Sequence, residues 1–147
     1  MTAGQTRQPY LRWSDRFAVG VDSLDEDHRA LVDLINLACA AWEASNRDAL
    51  QQALDRLLEL AAAHFEREED VLRHVAGHGA LQAHASEHRN RLAQLRQILE
   101  SANSAADGSA AAALPDALVD WFVKQSIGHD AAIKGYFDDG DRKYVLR

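Results

Sequence analysis

The chain has 147 residues, 47 % hydrophobic and 27 % charged, with a formal net charge of −7 and a single cysteine. That is one domain's length, enough to bury a sizeable core, while the acidic balance argues against nucleic-acid binding and a lone Cys39 cannot form an internal disulfide. No apolar run approaches the roughly 18 residues of a membrane span, and the opening MTAGQTRQPYLRWSDRF has no apolar signal core, so a cytoplasmic protein without membrane contact is expected.

Period-two alternation never persists, whereas helical periodicity does. Residues 1–20 read as an N-terminal arm. A first helix is expected over about 23–44, with Ser23 and Glu26 fitting a capping box. Its stripe is Leu24, His28, Leu31, Ile35, Ala38 and Trp42. A second helix over about 47–75 takes Asn46 as its N-cap and repeats Leu50, Leu54, Leu57, Ala61, His64, Glu68 and Val71. Gly77 and Gly79 then break the chain, with His74 and His78 beside them and solvated. A third helix, about 80–102, carries Leu81, His84, His88, Leu92, Leu95 and Leu99. The turn residues of SANSAADGS follow. A fourth helix over about 112–138 admits Pro115 in its first turn, and its stripe is Leu118, Trp121, Phe122, Gln125 and His129. Four amphipathic helices on short connections predict an all-α, antiparallel up-down-up-down bundle, about 23–138, within a single domain. Cys39 reads as a small core residue.

Six polar side chains occupy positions that this bundle must bury: His28, His64, Glu68, His84, His88 and Gln125. A single histidine on an apolar stripe is more often a hydrogen-bonded core residue than a ligand. The pairs His64/Glu68 and His84/His88 share a helix face at a spacing of four, which surface pairs also do. Together, however, the six would cost several kcal/mol if buried without compensation, by the usual order of magnitude for buried polar and charged groups. A metal centre inside the bundle satisfies them at once, and imidazole with carboxylate suits iron, manganese or zinc.

The stretches Trp13, FAVGVDSLDEDH (17–28), HFEREE (64–69), HASEH (84–88) and WFVKQSIGHD (121–130) resemble the bacterial hemerythrin family, from Trp13 to about Phe137. The resemblance implies a four-helix bundle with a carboxylate-bridged, non-haem pair of iron ions that binds dioxygen reversibly. It further implies that His28 and His64 serve the iron that takes oxygen, His84 and His88 the other iron, and that Glu68 and Asp130 bridge the two. The third histidine of that second iron is replaced by Gln125. The interval from Glu68 to His84 is also one residue longer than the family's usual spacing.

Three arrangements are open for Gln125: coordination through its amide oxygen, a hydrogen bond to metal-bound solvent, or replacement as ligand by His129 one turn on. Three functions are carried forward. The first is a dioxygen carrier, store or sensor, with Ile35, Trp121 and Phe122 as an apolar oxygen pocket. The second is a diiron oxidase, oxygenase or peroxide-reducing enzyme using an open iron position beside Gln125. The third is a bundle for metal storage or partner binding. Dioxygen and small anions are the expected ligands at the iron; no protein partner is legible.

Overall fold

The structure, a computed structural model, describes residues 10–75, 77–104 and 114–129. A 3₁₀ turn at Asp15–Phe17 leads into α1 (Asp22–Glu43), α2 (Arg47–Val75), α3 (His78–Ser104) and α4 (Leu114–Val123), which runs on as a π-helical turn, Lys124–His129. The expected all-α bundle is present, and the described residues contain no strand. Its principal helix contacts are α1 with α2 and α4, and α3 with α2 and α4. Each helix therefore has two neighbours, as the corners of a square do.

The first helix begins differently from expectation. Val21 is its N-cap and no side chain caps it, so Ser23 and Glu26 do not form the expected box. Asp25 instead holds the segment before the helix, accepting from the backbone of Val19 at 2.7 Å and of Gly20 at 3.3 Å. Gly20, at φ 93°, turns the chain so that both N–H groups face that carboxylate; such a φ is open to glycine at no steric cost.

Between α1 and α2 the chain reverses within Ala44, Ser45 and Asn46. Ser45 donates to the Trp42 carbonyl and Asn46 to that of Ala41, which satisfies the carbonyls a helix end leaves open. Ser45 sits at φ 54°, the left-handed position such a motif demands. Asn46 then caps α2 as expected, its side-chain oxygen accepting from Ala49 N–H at 3.1 Å.

Helix α3 starts two residues earlier than expected, with Leu81 N–H bonding to the Gly77 carbonyl. Gly79 therefore lies inside its first turn and breaks nothing. A methyl at Gly77 or Gly79 would meet no atom within 4 Å, so neither glycine is needed for close approach. The fourth helix is α-helical only to Val123, because the chain over Lys124–His129 widens to i→i+5 bonding. The rest of the expected 112–138 helix lies outside the described residues.

The core has two parts. The larger cluster is built on Ile35, Leu54, Leu57, Phe65, Leu95, Leu118 and Phe122. A smaller one joins Val19, Val21, Leu24, Val71 and Leu72. Along α1 the order is Leu24, His28, Leu31, and along α2 it is Ala61, His64, Glu68, Val71. The histidines and Glu68 thus form a polar layer between two apolar ones. The layer falls early in α1 and α3 and late in α2, which places it at one end of an antiparallel bundle. Cys39 is fully buried in the larger cluster, as expected, and His74 and His78 are exposed.

Candidate metal centre

His28, His64 and Glu68 are wholly buried, and His88 nearly so, while His84 keeps 12 % of its side chain exposed. His28 and His64 come from different helices, yet their Nε2 atoms stand 3.1 Å apart. Glu68 Oε2 lies 3.0 Å from His64 Nε2. The second oxygen, Oε1, lies 2.9 Å from His88 Nε2 and 3.9 Å from His84 Nε2. The ligand atoms of His28, His64 and Glu68 all fall within 4.8 Å of one another, as do those of Glu68, His84 and His88. Glu68 belongs to both groups and offers one oxygen to each side.

The far nitrogens decide what the near ones are. His28 Nδ1 donates to the Phe17 carbonyl, and His64 Nδ1 to Asp27 Oδ2 at 3.0 Å. His88 Nδ1 donates to Glu69 Oε2 at 2.8 Å. Carbonyls and ionised carboxylates only accept, so in each ring the proton sits on Nδ1. In the neutral ring Nε2 is then the nitrogen able to coordinate. Two such nitrogens, of His28 and His64, face one oxygen of the buried Glu68 carboxylate and that of His88 faces the other, an arrangement suited to a cation. Imidazoles pinned through their other nitrogen to a carboxylate or carbonyl are the usual surroundings of a metal-bound histidine, so the donor set fits a metal ion of the borderline, nitrogen-and-oxygen kind.

Electrostatics around the layer agree. Burial disfavours the Asp27 carboxylate, but hydrogen bonds from His64 and Arg67, with their charges, outweigh it and hold its pKa below the usual range. Arg67 grips that carboxylate with two nitrogens, at 2.7 and 2.8 Å. Burial likewise disfavours the His88 imidazolium, yet Glu68 and Glu69 outweigh it and raise its pKa. A proton there takes the place a metal ion would fill, since both need the same lone pair.

Apolar rings wall the layer in. Phe65 stacks on His88 with centroids 4.2 Å apart and planes 13° apart. Phe122 meets His28 edge-on at 5.8 Å and Phe17 at 5.0 Å, and Trp13 abuts Phe17 at 5.7 Å. Of the expected oxygen pocket, Phe122 is therefore at the site. Trp121 is buried beside Phe65 at 6.5 Å, with its indole N–H on the Arg91 carbonyl. Ile35 is buried two turns along α1 from His28, about 10 Å at the helical rise.

Gln125 is buried, and its Oε1 accepts from Arg91 Nε at 3.1 Å. The His129 side chain and Asp130 lie outside the described residues. Five contributors escaped the sequence reading: Asp27, Arg67, Glu69, Arg91 and the Phe17 carbonyl. Asp27, Arg67 and Glu69 do stand beside a ligand inside the quoted blocks, which was the available signal. Arg91, one turn beyond His88, had none.

Comparison with known proteins agrees with this geometry. Several bacteriohemerythrins are similar to the chain. That of Stenotrophomonas maltophilia is 26 % identical over 100 residues, covering 66 % of this chain and 65 % of that protein. That of Clostridium acetobutylicum is 32 % identical over 80 residues, covering 52 % and 61 %. The Pseudomonas paraeruginosa protein is 28 % identical over 79 residues, covering 54 % and 51 %. The chain thus spans between half and two thirds of the length of these relatives. The hemerythrin HHE cation binding domain matches residues 19–125, which takes in His28, His64, Glu68, His84, His88 and Gln125. A four-helix bundle with a buried histidine and glutamate layer, matched over most of its length, belongs to the hemerythrin family of iron-binding proteins.

Proposed function

We propose that the chain is a single hemerythrin-like domain that holds two iron ions and binds dioxygen reversibly. One observation carries this reading: Glu68 sits between two histidine groups and presents one oxygen to each. His28 and His64 would hold one ion, His84 and His88 the other, and Glu68 would bridge them. Asp130 is the proposed second bridge. It lies outside the described residues and is proposed from the resemblance of WFVKQSIGHD alone. When bound, the iron pair supplies the electrons that reversible dioxygen binding requires.

The protein's own residues keep that chemistry contained. Asp27 and the Phe17 carbonyl orient the rings of His64 and His28, and Glu69 orients His88. Phe17, Phe65 and Phe122 exclude water, which slows irreversible oxidation of a metal pair. A second reading, a diiron oxidase or peroxide-reducing enzyme, is favoured by Gln125 alone, since a neutral residue in place of a histidine leaves one metal more open.

The test is iron content with aerobic and anaerobic visible spectra of the reconstituted chain. Reversible dioxygen binding requires two irons per chain and an oxygen-dependent band that disappears on deoxygenation and returns on re-aeration. A transient band with net consumption of reductant would select the enzyme reading. At most one tightly held metal would sink the dinuclear assignment.

A further inference from the structure

The two halves of the centre are enclosed differently. His28 and His64 stand among buried neighbours on their own helices, Leu24, Leu31 and Val32 on α1 and Phe65, Val71 and Leu72 on α2. Both rings are wholly buried. Both are pinned through Nδ1, His28 to the Phe17 carbonyl and His64 to Asp27, which Arg67 clamps in turn. Phe17 and Phe122 close that side. The other half is carried by the start of α3. Over residues 78–87 that helix has no buried residue, and His88 is its first. His84, within this stretch, keeps 12 % of its side chain exposed and stands 3.9 Å from Glu68 Oε1, against 2.9 Å for His88. Glu69, which orients His88, is 22 % exposed, against 11 % for Asp27. The stretch also has space around it, since a methyl at Gly77 or Gly79 meets no atom within 4 Å. A glycine in the first turn further weakens the helix there.

We propose that the first turns of α3 are the door through which metal enters and leaves. Local opening of residues 78–84 carries His84 away from Glu68 and exchanges the ion that His84 shares with His88, while the ion at His28 and His64 stays enclosed. The inference rests on the metal-centre reading above. Its physical basis is the distribution of buried surface. Segments that bury little open without global unfolding, whereas packed ones open only with the core. Opening removes one ligand and leaves His88, held by Phe65 and Glu69, and one Glu68 oxygen. An ion on those two donors is exposed to water and to competing ligands. The centre therefore fills and empties in order, and a half-loaded protein keeps its ion at His28, His64 and Glu68.

The experiment is anaerobic release of ferrous iron from the loaded full chain into excess bipyridyl, followed by the colour of the iron chelate. Release should occur in two phases of one iron each, with rates about tenfold or more apart. His84→Ala should hold a single iron and release it in the slow phase alone. Gly79→Ala touches no ligand and adds a methyl into open space. By firming the first turn it should slow the fast phase roughly two- to fivefold and leave the slow phase unchanged. Release of both irons in one phase, or a fast phase that Gly79→Ala leaves unaltered, overturns the proposal. A wild-type chain that takes only one iron defeats the dinuclear reading and not the door. The door is then read by hydrogen exchange in the metal-free protein. Backbone amides of residues 82–87 should exchange about tenfold or more faster than those of residues 65–69, and slow down in Gly79→Ala. Equal protection of the two stretches overturns the role given to α3.

Discussion

At the scale of single residues, the layer depends on groups that would never touch a metal. Asp27 is the clearest case. Its carboxylate accepts from His64 and is itself clamped by Arg67, so it fixes both the tautomer and the direction of a ring on a different helix. Asp27→Asn keeps the shape but removes the charge that makes Nδ1 the protonated nitrogen. Loss of such an outer partner typically weakens a metal site about 10- to 100-fold. Competition with a chelator of known affinity measures this, and the expected outcome is a loss in that range with helix content unchanged. Affinity equal to wild type would mean that His64 is held by packing alone. Phe122 and Phe65 act differently, by excluding water from rings they contact directly.

At the scale of elements, the tight reversal between α1 and α2 joins two long helices through one residue in a costly conformation. Ser45 occupies φ 54°, where a side chain with a Cβ costs roughly 1–2 kcal/mol and glycine costs none. Glycine also loses more backbone freedom on folding, which returns roughly half of that gain. Ser45→Gly should therefore stabilise the protein by about 0.5–1 kcal/mol, read as a rise in the urea midpoint at unchanged slope. A fall in the midpoint would show that the serine makes a compensating contact. The π-helical turn after α4 is the other element of consequence. Such turns are rare and gather at functional sites, and this one carries both Gln125 and Ser126.

For the whole molecule, the layered core has a thermodynamic consequence. A polar layer between two apolar clusters is a weak plane until its lone pairs meet a cation. Metal bound by the native state and not by the unfolded chain adds about 2.7 kcal/mol when free metal is a hundredfold above Kd. For a domain of this size that is roughly 5–10 °C in melting temperature. Calorimetry of loaded and chelator-stripped protein should show a shift of at least this size, with the stripped protein melting first. Coincident melting would place any bound metal outside the core.

The sequence by itself determined the parts of this protein that are local. Apolar positions at steps of three and four specify helices and their buried faces, because the helical repeat is a property of the backbone. The spacing of four in His64/Glu68 and His84/His88 puts each pair on one face for the same reason, and Asn46 caps its own helix two and three residues away. The family resemblance rested on those local blocks. Only the tertiary structure decided what crosses between helices. That His64 meets Asp27, that His28 meets the Phe17 carbonyl, and that Arg91 takes the oxygen of Gln125 are contacts between residues 11 to 37 positions apart. Each depends on the register of one helix against another and on how the arm folds back. Packing sets that register, and no local propensity records it. The π-helical turn escaped for a related reason: nothing in the spacing of KQSIGH distinguishes i→i+5 from i→i+4 bonding.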